Sequence, residues 1–333
     1  MENKLKIFTV PFVLIYDLFT RLRNLLYETS ILRVKKVNST IISVGNISVG
    51  GSGKTPLTMW IAEYLLNDGK TTAVLSRGYK RHSKGFVLVS DGRDIKTDVV
   101  TAGDEPFLMA AKMKGIPVAV CENRVAGAEK LIEMFSPDII VLDDAFQHRR
   151  IHRDLNVLII NERDIETGMK IFPVGTLRES KNALKRAGLI LLNGDIPDPG
   201  IKYDGNFRLK YSSVRDMNNI VVDPGNKNFI AFCGLANNRS FFRLLNLNGI
   251  KVIKTVEYRD HYFYKMEDYE YLNVKMEELK ADAFITTEKD FVKLDKEFTG
   301  NNNVFFLTVE IDFLSDAENF KNTLKTLKKR GVE

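Results

Sequence analysis

From residue 40 onward, short runs of consecutive apolar residues alternate with longer segments in which apolar positions recur every three or four residues. A wholly apolar run bounded by turn residues reads as a strand buried on both faces, and the longer periodic segments read as helices. The pattern predicts strands at 41–44, 71–76, 86–90, 117–121, 139–142, 155–160 and 189–192, with helices at 56–66, 105–113 and 124–135. Turn residues then cluster between 195 and 223 (IPDPG, YDG, DPG), which reads as a seam. Beyond it the alternation restarts, with strands at 228–234, 251–258, 283–287 and 303–310 and helices at 239–248 and 266–279. Strands separated by helices mean a parallel sheet covered on both faces, with functional residues at the carboxyl ends of the strands. Two α/β domains are expected, over 37–210 and 224–320, with a cleft between them. The basic segment KNTLKTLKKR reads as a closing helix that either stays with the second domain or returns to the first.

Residues 1–36 follow a different pattern. Pro11 suits a first helical turn. After it, Ile15, Leu18, Phe19, Leu22, Leu25 and Leu26 share one face, and Asp17, Thr20, Arg21, Arg23 and Asn24 take the other. The uninterrupted apolar run, 10–16, is far short of the roughly 20 residues that span a bilayer. No small-residue cleavage site follows it, so it does not read as a signal peptide. Two readings stay open on the residues alone: a helix docked on the core, or an interfacial helix lying on a membrane. Basic residues at both ends (Lys4, Lys6, Arg21, Arg23, Arg33, Lys35, Lys36) and the aromatics Phe8, Phe12, Tyr16 and Phe19 favour the second.

Composition narrows the class. The chain has 333 residues, 44% of them hydrophobic and 28% charged, enough to bury a sizeable core. Its two cysteines, Cys121 and Cys233, lie far apart inside apolar runs and read as buried small hydrophobes with no disulfide framework. A net charge of +6 suggests an anionic partner. The basic residues are spread along the chain and no reader motif accompanies them, so nucleic acid is not the expected partner.

The chemistry begins at IISVGNISVGGSGKT, residues 41–55. A strand running into a glycine-rich loop that ends in Gly53-Lys54-Thr55 is a phosphate cradle. Gly50, Gly51, Ser52 and Gly53 would bring backbone N–H groups to phosphate oxygens, and a following helix would present its positive end. Lys54 would reach the β- and γ-phosphates, and the Thr55 hydroxyl would ligate Mg²⁺. The match to the usual motif is imperfect, because Ser48 stands where a first glycine is expected. Such a site needs an acidic element ending a second apolar strand, and Asp143-Asp144 after IIVL supplies it. Gln147 and His148 follow closely. His148 and His152 are four apart, but no third ligand recurs nearby, so a phosphate or sugar contact is the better reading. Arg77 ends one strand, Arg178 and Glu179 follow a loop, and Asp104 opens a helix, where it would also serve as an N-cap. His261 lies in a loop past a second-domain strand. Asp143 is not followed by the glycine of a D-x-x-G motif, and Lys289 precedes Asp290 directly, so Ras-type guanine recognition is excluded. The early lysine of the cell-division and partition ATPases is replaced by Val49.

Eight motifs occur in a fixed order: VGNISVGGSGKTP, SRGYKR, GDEP, DDAFQHRRIHRDLNVLIIN, FPVGTLRE, AFCGLANNRSFF, DHYFY and TTEKD. Together, from about residue 5 to about residue 312, they resemble the tetraacyldisaccharide 4'-kinase family, the lipid A 4'-kinases. The resemblance implies a P-loop NTPase-type parallel sheet sandwiched by helices, a second smaller α/β domain, and an N-terminal amphipathic helix. It implies ATP and Mg²⁺, and γ-phosphoryl transfer to the 4'-hydroxyl of a tetraacyldisaccharide 1-phosphate, giving lipid IVA. It also implies peripheral placement on the cytoplasmic face of a Gram-negative inner membrane, with no obligate protein partner evident. By position, Lys54 and Thr55 match the nucleotide and Mg²⁺ residues, and Asp143 and Asp144 the acidic pair. Asp104 and His261 match a proposed catalytic dyad, assembled when the domains close. Arg77, Gln147, His148, Arg178 and Glu179 match polar positions assigned to the disaccharide and its 1-phosphate. Ala145 stands where many relatives have Gly, and its methyl is expected to crowd the turn at Asp144. A substrate with four acyl chains favours the interfacial reading of the N-terminal helix. The alternative function is a membrane-tethered ATPase switch acting on a protein partner.

Overall fold

A computed structural model describes residues 16–172, 174–314 and 317–328. The expected helix start at Pro11, with Phe8, Phe12 and Ile15, lies outside the described residues. Residues 16–28 are helical (α1). They are followed by β1 (Thr40–Asn46), α2 (Lys54–Asn67), β2 (Thr72–Ser76), β3 (Val87–Ser90), α3 (Val99–Ala102), α4 (Asp104–Lys112), β4 (Val118–Val120), α5 (Arg124–Phe135) and β5 (Ile139–Leu142). Next come β6 (Leu155–Asn161), α6 (Glu162–Glu166), a 3₁₀ turn at Lys181–Arg186, β7 (Leu189–Asn193), β8 (Gly205–Arg215) and β9 (Val221–Val222). The remainder is β10 (Phe229–Cys233), α7 (Asn238–Leu247), β11 (Val252–Glu257), α8 (Met266–Leu279), β12 (Ala283–Thr287), α9 (Glu288–Phe291), α10 (Lys296–Asn301), β13 (Val304–Phe313) and α11 (Glu318–Thr326).

Every described strand joins one sheet in the order β11-β10-β12-β13-β8-β7-β6-β1-β5-β2-β4-β3, with β9 paired to β8. The first lobe, β1 to β7, is parallel apart from β3. The second lobe, β10 to β12 with the start of β13, is parallel throughout. The two are joined by β8 and β13, which run antiparallel from Phe306 opposite Arg215 to Phe313 opposite Phe207. The turn-rich seam expected at 195–223 is therefore corrected: within it, residues 205–215 form an eleven-residue strand at the centre of the sheet. Its polar and apolar positions alternate (FRLKYSSVR), and the turn clusters on either side mask that alternation in the sequence.

Side-chain alternation along the strands builds the two faces of the first lobe. Ile42, Val44 and Val74 point to α2 and α4, where Leu57, Ile61, Leu65 and Met109 cover them. Ile41, Ala73, Leu75 and Ile140 point the other way and meet Val125, Ala128 and Leu131 of α5. In the second lobe α7 covers one face with Phe241 and Leu245, and α8 the other with Tyr269 and Leu272. Helix α11 packs Phe320 and Leu324 into the first lobe's core. Trp60 of α2 meets Phe313 at 4.9 Å and Phe320 at 5.7 Å between ring centroids, tying the end of β13 to the first lobe. Both cysteines are free and buried.

Gly45 is among the glycines demanded by close approach. A Cβ on Gly45 of β1 would lie 2.7 Å from Cβ of Phe146, whose chain crosses directly over it. Gly45→Ala should lower stability by roughly 1–3 kcal/mol through overpacking. Gly300→Ala, inside α10 with nothing within 4 Å of the added carbon, should leave stability equal or slightly raised. Thermal unfolding of the two variants beside the parent chain tests the contrast, and equal losses would contradict it.

Candidate functional site

The phosphate cradle stands where the topology changes direction. Strand β1 has β5 on one side and β6 on the other, so the loop leaving its carboxyl end enters a crevice between outward-running connections. Gly50 and Gly53 adopt left-handed φ values of 103° and 80°, which L side chains resist. Ser48 has no positive φ and its buried hydroxyl accepts from Asn46 Nδ2 at 3.2 Å, so this position tolerates a side chain. Ser52 is buried, and its carbonyl accepts from Asn193 Nδ2 at 3.1 Å. The first turn of α2 holds Lys54 and Thr55, carries no acidic residue and has no side-chain cap. Its N–H groups and dipole are thus left for an anion.

Direct pairing of β5 with β1 brings the acidic pair beside the cradle. Asp143 is buried and accepts from Ser76 Oγ at 3.1 Å and Thr58 Oγ1 at 3.2 Å. Burial, then the charges of Glu105 and Asp144, push its carboxyl up to about 7. Asp144 lies 3.8 Å from Lys54 Nζ through one oxygen and 3.8 Å from Arg178 Nη1 through the other. The turn is strained at Asp144, with φ 44°, and not at Ala145, which is buried in the α5-side core. The methyl of Ala145 therefore packs without occupying the strained position. Arg178 reaches Asp144 because its N–H donates to the Ile47 carbonyl at 2.6 Å, stitching its loop to the cradle's entrance.

A second charged centre lies between the lobes. Nδ1 of His261, in the loop after β11, is 2.7 Å and 2.9 Å from the two oxygens of Asp104 at the start of α4. Asp104 is almost wholly buried. Burial opposes its charge, but the His261 hydrogen bond and Lys289 outweigh that and hold its carboxyl below the usual range. His261 has φ 60°, and its N–H donates to the Gly234 carbonyl at 3.3 Å. The ring of Tyr79 stands edge-on to the imidazole at 5.3 Å.

The remaining expected residues separate into two groups. Arg77 is exposed beyond β2, and His148 is half-buried nearby. Burial, then the charges of Arg124, Arg153, Arg150 and Arg77, bring the His148 imidazole down to about 4, so it is neutral inside a cationic patch. Gln147 donates to the Asn46 carbonyl at 2.8 Å and fastens the turn to the end of β1. Glu179 is buried, accepts from Asn24 Nδ2 at 3.0 Å, and pairs with Arg186 at 2.8 Å. Its carboxylate thus anchors α1 to the body. Three side chains at these centres were not singled out as site residues in the sequence. Thr58 lies one turn beyond Lys54, an i,i+4 relation that aims both at the acidic pair. Glu105 follows Asp104 directly. Lys289, inside TTEKD, lies 3.6 Å from Asp104 and 3.4 Å from Nε2 of His261.

A family model described as tetraacyldisaccharide-1-P 4'-kinase matches residues 5–329. The chain belongs to the tetraacyldisaccharide 4'-kinase family. It is 37% identical to the tetraacyldisaccharide 4'-kinase of Aquifex aeolicus over 309 residues, covering 91% of this chain and 93% of the relative. It is 36% identical to that of Chlorobium limicola over 344 residues, covering 96% and 97%. A solved structure of LpxK from Aquifex aeolicus in complex with ATP superposes with a TM-score of 0.82 at 33% identity, covering 97% of this chain and 99% of that one. The fold of this kinase is accordingly a P-loop NTPase-type α/β fold.

Among the described residues of this kinase, no three His, Cys, Asp or Glu side chains converge as a ready-made metal cage. Mg²⁺ needs no such cage, because it binds through one or two carboxylates and substrate phosphates. Two observations fit it here: Asp144 Oδ1 is shielded from solvent without a hydrogen bond, and Asp143 carries the strain of neighbouring negative charge. Because the folded-state pKa of Asp143 is raised, the folded chain holds that proton more tightly, and stability is lost as pH rises from about 4 through about 7. Asp143→Asn should therefore gain stability relative to the parent chain across that window in Mg²⁺-free buffer, with a constant gap above it. Urea unfolding at a series of pH values tests this, and a gap independent of pH would contradict it.

Proposed function

We propose that this kinase transfers the γ-phosphoryl of ATP to the 4'-hydroxyl of a tetraacyldisaccharide 1-phosphate, with Asp104 and His261 as its base. The observation carrying the assignment is the 2.7 Å contact between His261 and Asp104, formed from two lobes beside a phosphate cradle. Gly50, Gly51, Ser52 and Gly53 would hold the phosphates with their N–H groups, and Lys54 would neutralise the transferred group. Thr55, Asp143 and Asp144 would hold Mg²⁺, which supplies charge neutralisation on the phosphates when bound. His261 takes the hydroxyl proton at Nε2 as the sugar oxygen bonds to the γ-phosphorus and the bond to the leaving ADP oxygen breaks. Asp104 orients the ring and stabilises the resulting imidazolium. Residues 37–210 act as the nucleotide domain and 224–320 as the smaller domain that brings His261, with β8 and β13 shared between them.

The cationic patch around His148, with Arg77 at its exposed edge, suits the 1-phosphate of the disaccharide, and Arg178 suits the approach to the γ-phosphoryl. Gln147 and Glu179 serve this site by holding its frame.

Helix α1 supports placement at a membrane surface. Its polar side docks: Asn24 and Arg23 meet Glu179, and Arg149 Nη1 donates to the Asn24 carbonyl at 3.1 Å. Its apolar side faces outward, with Leu18 68%, Phe19 67%, Leu22 52% and Leu25 53% exposed. A core-docked helix has the reverse orientation. No described helix is long and apolar enough to cross a membrane; the docked polar side and outward apolar side of α1 fit peripheral association, at the cytoplasmic face of the inner membrane in this reading.

Transfer of radiolabel from γ-labelled ATP to the tetraacyldisaccharide 1-phosphate in micelles tests the base. His261→Ala and Asp104→Ala should each lose on the order of 10²–10⁴ in kcat with ATP affinity kept. Undiminished product would remove the dyad, and ATP hydrolysis with no labelled lipid would favour the ATPase switch. Leu18→Glu with Phe19→Glu should abolish co-sedimentation with anionic vesicles while leaving the fold intact, and unchanged sedimentation would contradict the surface reading.

A further inference from the structure

The side of His261 that faces away from Asp104 is covered by a lysine. Nζ of Lys289, in the first turn of α9, lies 3.4 Å from Nε2 of His261. The same ammonium is 3.3 Å from Glu105, 3.6 Å from Asp104 and 3.9 Å from Asp260. Asp260 also approaches Nε2, but at 3.7 Å it stands beyond hydrogen-bond distance.

Donor and acceptor chemistry fixes the imidazole from these contacts. An ammonium has three N–H donors and no acceptor, so Nε2 must offer its lone pair to Lys289. An ionised carboxylate only accepts, so Nδ1 must carry the hydrogen that goes to Asp104. Two neighbours on different elements of the fold therefore demand the same neutral tautomer. It is the tautomer a general base needs, because Nε2 is the nitrogen left to receive a proton. Burial works against the charge on Lys289, but Glu105, Asp104 and Asp260 outweigh it and keep the ammonium protonated.

Resting on the dyad as base, we propose that Lys289 is a positioning residue that holds His261 in the Nδ1–H tautomer and keeps the Nε2 lone pair turned to a donor until the sugar hydroxyl takes the lysine's place. The carboxylates of Glu105 and Asp104 retain the ammonium when it yields Nε2, so the exchange leaves no charge unpaired. The charged and titratable groups around the ring define what its loss would do. They are Asp104 and, through the lysine, Glu105 from α4; Asp260 from its own loop; Lys289 and, acting on Asp104, Lys293 from the α9 region; and Tyr79, with Lys80 bonded to the Asp260 carbonyl, from the segment after β2. Among the described residues no other cation touches the ring, so without Lys289 the imidazole would have the Asp104 carboxylate at Nδ1 and the Asp260 carboxylate nearest Nε2, acceptors on both sides that suit an N–H at each nitrogen.

The lysine also helps hold the lobes, because α9 and α4 exchange a second ion pair, Lys112 with Glu288 at 2.8 Å. That neighbouring pair provides the control. The kinase assay on the full chain compares Lys289→Met, Lys289→Arg, Lys112→Met and His261→Ala from pH 6 to pH 9. Lys289→Met should lose at least about tenfold in kcat near pH 7, with both KM values within about twofold, and recover much of the loss towards pH 9. Lys289→Arg should restore the parent profile in part, since a guanidinium also only donates. Lys112→Met should change the rate little and leave the shape of the pH profile unaltered. A Lys289→Met loss that is equal at every pH, or matched by Lys112→Met, would reduce the lysine to a clasp between lobes and overturn the proposal. Full activity in Lys289→Met would also overturn it. Full activity in His261→Ala would instead remove the base assignment on which it rests.

Discussion

The contact between His261 and Asp104 joins lobes that share no helix, so its geometry depends on whatever fixes one lobe against the other. That constraint is the antiparallel pair β8 and β13, which carries the sheet unbroken from β7 of one lobe to β12 of the next. β13 begins in the second lobe, paired with β12, and ends beside Trp60 in the first. Its register with β8 sets how far the loop after β11 stands from the start of α4. A slip of one residue would turn every side chain of the ribbon to the other face and carry the imidazole away from its carboxylate.

Within that frame the charges are arranged against their own solvation. Asp104 remains ionised despite burial because His261 and Lys289 compensate it. Among the described residues the Asp143 carboxylate accepts from two hydroxyls; burial and neighbouring negative charge outweigh these and Lys54, and its carboxyl rises to about 7. The contrast fits the roles proposed for them: Asp104 is compensated by protein groups, and Asp143 would gain from a cation. Differences of this kind between nearby titratable groups are how a site divides its acid, base and metal-binding tasks.

Local order made most of the fold legible. Helices 124–135 and 266–279 and strands 139–142 and 283–287 match their sequence-based bounds, because each is a long periodic segment or an apolar run with clear turn residues at its ends. β8 was hidden because its stability comes from pairing with a strand about a hundred residues later, while its flanks read as turns. The site divides in the same way. The cradle and the acidic pair are strand-end motifs, readable where they stand. A lone loop histidine carries no such mark, and His261 became a candidate through the order of motifs across the chain. Glu179 is a substrate candidate through the family's motif order, and the fold adds the arginine and asparagine that its carboxylate meets. Lys289 was visible as a charge after a strand, and its meaning lies in two residues from elsewhere in the chain.

A double-mutant cycle on kcat decides whether Asp104 and His261 act as one unit. Asp104→Ala, His261→Ala and the double variant would be assayed for lipid phosphorylation under saturating ATP. If the carboxylate works through the imidazole, the double variant should be no slower than the slower single variant. If instead the two losses multiply, the residues contribute independently, and a base assembled across the lobes is contradicted.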